Sequence, residues 1–314
     1  MPRVARKQYR KSAVTVIGSG RLGTALARAL ALSGYPIEAV VVRHSSHASR
    51  SAKLVGSHTK GLTASELHLL SRTKITIIAT PDGEIAGVAG RLAELQKDVA
   101  TGRTVLHTSG ALSSGAVLSS LAAVGFHVGS LHPLVSVSDP RTGAENLRGA
   151  FYCVEGDHVA TSIARAIVRD LGGHSFEIDS SSKPLYHAAA VMASGHLVAL
   201  FQLATEMLEA CGLTPKTARR VLLPLVESTV KNLSTTEPAQ ALTGTFARGD
   251  LATVKKHLQA LSANDLDEAM AVYKLLGDRS LELARANGVD PRLLKRIGQA
   301  LQANGKQRPE KTKG

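Results

Sequence analysis

Three polar residues at helical spacing could transfer protons in the second half of this chain. Lys183, His187 and Ser194 stand at positions i, i+4 and i+11 of an otherwise Ala/Val/Leu-rich segment, so a helix would place them on one face. Burying a lysine is costly unless its charge is paired or its proton is lost, and a lowered pKa suits a general acid that works near neutral pH. The alternative, equally compatible with the periodicity, is that Lys183 starts the helix and points into solvent.

Polar residues also follow three short apolar segments that are predicted to be strands. These strand ends read Thr80-Pro81-Asp82, Thr108-Ser109-Gly110 and His132-Pro133. Ligands of open parallel sheets bind outside the carboxyl ends of the strands. We therefore expect Thr80 and Pro81 to lie along a cofactor, and Ser109 and His132 to lie nearer a substrate. Such residues are also common in ordinary turns, and His132 could be a core histidine.

A glycine-rich turn near the start of the chain predicts that a dinucleotide binds there. The turn follows an apolar strand and opens an Ala/Leu-rich helix, and its residues are Gly18, Ser19, Gly20, Arg21, Leu22 and Gly23. In this order of elements, the first glycine permits the turn, the second admits the pyrophosphate and the third allows close helix–strand packing. The free N–H groups of the helix N-terminus then face the anion.

The end of the second predicted strand favours NADP over NAD. NAD-specific sites place an acidic residue there for the ribose 2′-hydroxyl, whereas an arginine accommodates the 2′-phosphate. The sequence here continues Arg43-His44-Ser45-Ser46, and Glu38 lies at the opposite end of the strand. Arg43 and either Ser45 or Ser46 are the expected phosphate ligands, and the alternative is that Arg43 is an ordinary solvated residue.

The elements that must position these residues change character along the chain. Short apolar strands alternate with helical patterns over residues 13–180, which predicts an α/β doubly wound (Rossmann) dinucleotide-binding domain. Helical patterns alone occupy residues 181–303 and predict an all-α domain for substrate binding and dimerisation. Residues 1–12 and 304–314 are predicted to be basic disordered tails.

Composition and charge argue against several other classes of protein. Of the net charge of +13, the two tails hold +5 and +3, and no aromatic platform accompanies them, so no specific nucleic acid is expected. The twelve histidines do not cluster with acids at ligand spacing, and no metal site is predicted. Two cysteines form no disulfide framework and no apolar leader begins the chain, which favours the cytoplasm. The apolar run 188–204 contains polar residues and is interpreted as a buried helix rather than a membrane span.

With these segments assembled, the sequence resembles the family in which a Rossmann-like NADP domain precedes the domain of unknown function 2520. The resemblance covers about residues 12–302. Its most specific segments are GSGRLGTAL (18–26), HTSGAL (107–112), GSLHPL (129–134), KPLYHAAAVMAS (183–194) and ALTGTFARGDLATVKKHL (241–258). It implies a helical domain similar to the C-terminal domain of 6-phosphogluconate dehydrogenase, and a homodimer that shares a long helix.

The resemblance also implies roles for particular residues. In the wider superfamily of β-hydroxyacid dehydrogenases, a lysine that begins the long helix is the general acid/base, and a polar residue one turn later, usually Asn, orients it. Lys183 and His187 occupy matching places, and the turn Ser109-Gly110 resembles the element that holds the substrate. His187 departs from the superfamily's usual Asn, and Gly195 and Thr245 stand where the family tends to have Asn and Pro.

Two functions follow as expectations. The first is an NADP(H)-dependent oxidoreductase that transfers a hydride to or from a small carbonyl, hydroxy-acid or imine compound. Lys183 would transfer the proton, directly or through His187, while His132 and Ser109 hold the substrate. The second is a non-catalytic NADP-binding dimer that senses redox state or docks a partner, since a fold does not determine a function.

Overall fold

Eight short strands form one sheet in a computed structural model that describes residues 11–70, 73–96 and 101–303, and the central strands are rich in Val and Ile. The strands are β1 (Val14–Ile17), β2 (Ile37–Val42), β3 (Lys60–Thr63), β4 (Ile75–Ile78), β5 (Thr104–His107), β6 (His127–Pro133), β7 (Phe151–Gly156) and β8 (His174–Phe176). Their spatial order is β3-β2-β1-β4-β5-β6-β7-β8. The first six strands are parallel, β7 runs antiparallel to β6, and β8 is parallel to β7. The predicted doubly wound sheet is confirmed, with β7 and β8 reversed in direction at one edge.

Helices cover both faces of this sheet. They are α1 (Arg21–Leu32), α2 (Ser45–Val55), α3 (Asp82–Gln96), α4 (Ser114–Val117), α5 (Ser119–Ala123), α6 (Pro140–Asn146), α7 (His158–Asp170) and α8 (Lys183–Ala193), with short 3₁₀ turns at Ala64–Leu69 and Ser180–Ser182. Alternate side chains of one strand enter different cores: Val16 packs with α1 and α7, whereas Ile17 packs with α3. Because both faces are covered, the strands are continuous apolar runs instead of alternating ones.

The chain divides into two units, residues 1–195 and 196–314. The second unit is helical throughout its described residues: α9 (Gly195–Ala210), α10 (Pro215–Leu233), α11 (Pro238–Ala241), α12 (Gly244–Ala247), α13 (Leu251–Ala263), α14 (Asp267–Ala286) and α15 (Pro291–Gln302). Its core is formed by Val254, Leu281, Ala284, Leu294, Ile297 and Leu301. The predicted all-α region is confirmed. The predicted boundary near residue 180 lies before α8, and the structure keeps that helix with the first unit.

The two basic tails lie outside the described residues, apart from Lys11 and Ser12. At Lys11 the structure differs from the prediction of a disordered tail. The Lys11 ammonium lies 2.7 Å from the Asp170 carboxylate, donates to the Ser33 carbonyl at 2.8 Å and sits 4.6 Å from the centre of the Tyr35 ring. These contacts attach the end of the basic segment to the first unit.

The apolar run 188–204 differs from its prediction of burial. It lies in α8 and α9, and among the described residues the stretch 180–210 is long and apolar enough to cross a membrane by length and composition alone. Only 6% of its most apolar 18 residues are buried within the chain, and Met192 and Val198 are 67% and 69% exposed. The prediction is wrong for the single chain because the chain itself does not cover these apolar faces.

Candidate cofactor and proton-transfer site

The glycine-rich turn joins β1 to α1 and leaves open space at its second glycine. Gly18 has a φ of +110°, and a Cβ added to it would overlap the carbonyl oxygen of Ala79, so the turn requires glycine. A Cβ on Gly23 would overlap the Gly18 carbonyl oxygen, since helix and strand approach closely there. At Gly20, in contrast, an added Cβ would meet nothing within 4 Å.

This open space has the chemistry that a pyrophosphate requires. Gly20 is the N-cap of α1, so the N–H groups of Arg21, Leu22 and Gly23 lack partners within the helix. Thr80 follows β4, and its backbone nitrogen would lie 3.1 Å from a Cβ on Gly18. The Thr80 hydroxyl oxygen is buried without a hydrogen-bond partner in the part of the chain that the structure describes. Free donors, an unpaired hydroxyl and an unfilled glycine position together fit a bound dinucleotide.

The residues expected at the 2′-phosphate lie together at the end of β2. Arg43 is exposed, and its guanidinium pairs with the Glu84 carboxylate of α3. Ser45 begins α2, so Ser45 and Ser46 add hydroxyl groups to the free N–H groups of a helix N-terminus. Glu38 accepts a hydrogen bond from Thr73 at 2.5 Å near the start of the strand. Arg43 and the donors at the start of α2 therefore suit a phosphate, which would have to compete with Glu84 for Arg43.

Lys183, at the start of α8, has 0% of its surface exposed. Its ammonium donates to the Ser130 hydroxyl at 2.8 Å and lies 3.6 Å from the Glu155 carboxylate. Burial lowers the pKa of Lys183, while the negative charge of Glu155 acts in the opposite direction. Of the two alternatives that the sequence left open, the structure shows the buried lysine.

Glu155 and the two serines beside it carried no separate signal in the sequence. The Glu155 carboxylate accepts hydrogen bonds from the Ser114 N–H at 3.0 Å, the Ser114 hydroxyl at 2.8 Å and the Ser130 hydroxyl at 3.2 Å. The Ser130 hydroxyl therefore accepts from Lys183 and donates to Glu155. Ser130 belongs to the segment GSLHPL, but an isolated serine and glutamate have no periodicity that would associate them with a lysine on α8.

His132 lies near the lysine and forms a hydrogen bond with Tyr186, a residue without a signal of its own in the sequence. His132 Nδ1 and the Tyr186 hydroxyl are 2.7 Å apart. Burial lowers the pKa of His132 to about 4, with the charges of His187 and Lys183 adding to the effect, so the ring is neutral at neutral pH. Burial raises the pKa of Tyr186, so the phenol keeps its proton at neutral pH.

Gly110 allows two imidazoles to pack against the turn that follows β5. A Cβ on Gly110 would lie 2.5 Å from His187 Nδ1 and 2.8 Å from His132 Nε2. The two histidine rings are 5.5 Å apart between centroids. His187 Nδ1 is buried and unpartnered within the described residues. The structure thus brings His132, His187 and the Ser109-Gly110 turn together.

Ser109 shapes this turn through all of its hydrogen bonds. Its hydroxyl donates to Asp82 at 2.8 Å and accepts from the N–H groups of Ala111 and Leu112 at 3.2 and 3.1 Å. Its N–H donates to His107 Nδ1 at 3.1 Å, and burial lowers the pKa of His107 to about 3. A direct substrate contact from this hydroxyl would have to replace the bond to Asp82.

A cavity of about 400 Å³ opens beside the imidazoles, within the first unit. It is lined by His132, Pro133, Leu134, Val135 and Ser136 and by His187, Ala190, Val191, Ala193, Ser194 and Gly195. His187 and Ser194 of the predicted stripe therefore share this cavity, whereas Lys183 does not line it and lies one turn before His187. Its size and mostly apolar lining suit a small molecule.

Comparison with known families agrees with this architecture. The Rossmann-like domain matches residues 3–133, and the domain of unknown function DUF2520 matches residues 150–280. The chain belongs to the family in which these two domains follow one another. Among curated proteins, none matches this sequence.

Several solved structures share the fold. A protein from Thermotoga maritima is 23% identical with a TM-score of 0.66, over 87% of this chain and 99% of that one. The reductive aminase from Aspergillus terreus, in complex with NADPH and ethyl levulinate, is 17% identical with a TM-score of 0.59, over 92% and 99%. The pyrroline carboxylate reductase of Plasmodium falciparum, with NADP bound, is 12% identical with a TM-score of 0.55, over 88% and 99%. At these identities the likeness establishes the fold alone.

The glycine turn provides a matched pair of substitutions. Gly23→Ala forces an overlap with backbone, and we expect a loss of several °C in Tm, since overpacking costs about 1–3 kcal/mol. Gly20→Ala meets no protein atom within 4 Å, so its Tm should fall by less than that of Gly23→Ala, while NADPH binding weakens about tenfold or more, equivalent to ~1.4 kcal/mol. Thermal unfolding and fluorescence titration with NADPH measure the two effects. A Gly20→Ala variant that binds NADPH normally would contradict the pyrophosphate assignment.

Proposed function

We propose that this chain is an NADP(H)-dependent oxidoreductase that acts on a small carbonyl, hydroxy-acid or imine compound. The observation that carries the proposal is that one unit holds both the dinucleotide turn with open space at Gly20 and a cavity beside two imidazoles and a buried lysine. The NADP- and NADPH-bound reductases of similar fold support an oxidoreductase in general. The size of the cavity, about 400 Å³, limits the substrate to a small molecule.

Each part of the site has a task in this proposal. A bound nicotinamide supplies the hydride, which no protein side chain can provide. The glycine turn, Thr80 and Pro81 hold the cofactor. Lys183 supplies or receives the proton, and since it does not line the cavity while His187 does, His187 is proposed to relay the proton to the substrate. His132, which lines the cavity, holds the substrate, and Ser109 holds the turn against which the imidazoles pack.

Substitution of Lys183 tests the proton-transfer role. Lys183→Met keeps the length of a buried side chain, and we expect it to lower kcat by about 10²–10⁴-fold, the usual contribution of a general acid. Burial lowers the pKa of Lys183 below its ordinary value of 10.5. The rate of reduction should therefore fall as the pH rises past this lowered pKa, and this fall should be absent from Lys183→Met. NADPH oxidation at 340 nm with oxo acids, keto alcohols and cyclic imines provides the assay.

The control for this experiment is Lys255→Met, which removes an exposed lysine of α13. An unchanged kcat in Lys183→Met would remove the lysine from the reaction. A chain that binds NADPH but oxidises it with no member of the panel would favour the non-catalytic sensor or interaction module instead.

Arg43 is proposed to select NADP over NAD. Arg43→Ala should weaken NADPH binding about tenfold, since a charge-assisted hydrogen bond contributes roughly 1.5–3 kcal/mol, and leave NADH binding unchanged. Glu84→Gln frees the guanidinium from its carboxylate and should raise the preference for NADPH. Isothermal titration with both nucleotides measures the ratio. NADH binding as tight as NADPH binding in the wild type would contradict the assignment.

We also propose that the helical unit forms a homodimer. Val198 on α9 and Leu225 on α10 are 69% and 63% exposed, and α9 and α14 border an apolar cavity of about 220 Å³. Exposed apolar surface of this kind marks an interaction site. Light scattering should give about twice the chain mass of 32.9 kDa. Val198→Glu should shift the chain toward monomer, while Leu95→Glu on α3 should not. A monomeric wild type, or binding to lipid vesicles in place of dimerisation, would overturn this proposal.

A further inference from the structure

We infer that Glu155 is a positioning residue that holds Lys183 in place and keeps it charged, acting across Ser130. The inference rests on the proposed function, because it concerns the proton that Lys183 would supply to the substrate. It is carried by the contacts of three residues from three different elements: α8, β6 and β7.

A fully buried ammonium requires a nearby negative charge. The cost of removing a charge from water is several kcal/mol, and it is offset only by a partner and by hydrogen bonds. The Glu155 carboxylate is 3.6 Å from Lys183 Nζ and is itself only 12% exposed, so little water screens the pair. This geometry makes Glu155 the counter-ion of the lysine.

The other titratable groups around Lys183 do not replace Glu155. They come from the elements packed around the lysine and are Cys153 on β7, Asp82 at the start of α3, His107 on β5 and His132 on β6. The two histidines are neutral, and burial raises the pKa of the Cys153 thiol. Asp82 accepts the hydroxyl hydrogen of Ser109. Among these groups, Glu155 is the carboxylate within ion-pair distance of the ammonium.

The Glu155 carboxylate is held in one orientation. Three donors from Ser114 and Ser130 point at its oxygens. Ser130 is fully buried and joins the two charges, with its oxygen accepting from Lys183 and its hydrogen donated to Glu155. Movement of the lysine away from Ser130 would therefore leave both charges without this link.

A buried lysine without this carboxylate would lose its proton at a lower pH. An opposite charge within about 4–6 Å typically moves a pKa by 1–3 units. Without Glu155, the burial of Lys183 would act alone, and the lysine would deprotonate closer to neutral pH. In the proposed reduction, fewer molecules would then carry the proton that the substrate needs.

The direct test is the ionisation of Lys183, followed by NMR of ¹³Cε-labelled lysine in the full chain. The Lys183 signal is assigned from its absence in Lys183→Met. In Glu155→Gln we expect the titration midpoint of Lys183 to fall by about one pH unit or more. The matched control is Glu145→Gln, which neutralises an exposed carboxylate on α6 and should leave the midpoint unchanged. A midpoint in Glu155→Gln that equals the wild-type value would overturn the inference.

A second measurement applies if Glu155→Gln is too unstable for a titration. The Tm values of Glu155→Gln, Lys183→Met and the double variant form a double-mutant cycle. If the two charges compensate each other, the double variant loses less Tm than the sum of the single losses, because neither charge is left unpaired. Additive losses would overturn the inference.

These readouts need neither cofactor nor substrate. A chain that fails to oxidise NADPH would therefore refute the proposed function while the Lys183 midpoint and the double-mutant cycle still report on Glu155. Conversely, active enzyme with an unmoved midpoint in Glu155→Gln would refute only the role of Glu155.

Discussion

The ion pair between Lys183 and Glu155 is the interaction on which the candidate site depends. A cation with no exposed surface is tolerated because a carboxylate 3.6 Å away and a serine between them replace the water it has lost. The pair joins the first turn of α8 to β6 and β7, so it also locates the helix that carries His187 and ends before Ser194. The same buried contact therefore holds the lysine side chain and positions α8 against the sheet.

The sheet explains why such distant residues meet. The residues that follow β1, β4 and β5 lie at the same edge because these strands are parallel, and there the glycine turn, Thr80 and Ser109 come together. Gly18 and Gly23 allow the turn, β4 and α1 to approach one another closely, and Gly20 leaves the space beside them open. Gly110 has the same effect on the imidazoles, since His132 and His187 occupy the space that a side chain would fill.

Much of the fold was predictable because its signals are local. The strand and helix patterns, the glycine turn and the replacement of an acid by Arg43 are each contained within a few neighbouring residues. The apolar run 188–204 was predicted less well. Its composition shows that its apolar surface must be covered, but it does not identify the element that covers it. In the single chain α8 and α9 are largely exposed. Lys11 likewise could not be assigned from a run of basic residues, because its partner Asp170 is distant in sequence.

The sequence by itself determined the order of elements, the dinucleotide turn and the stripe of Lys183, His187 and Ser194, because these depend on spacing along the chain. Only the tertiary structure decided that Lys183 is buried, that Glu155 and Ser130 are its polar partners, and that His132 and His187 line the cavity while the lysine does not. The physical reason is that the state of a buried charge depends on the groups brought around it from other strands. The types and spacing of residues within its own helix do not specify those groups.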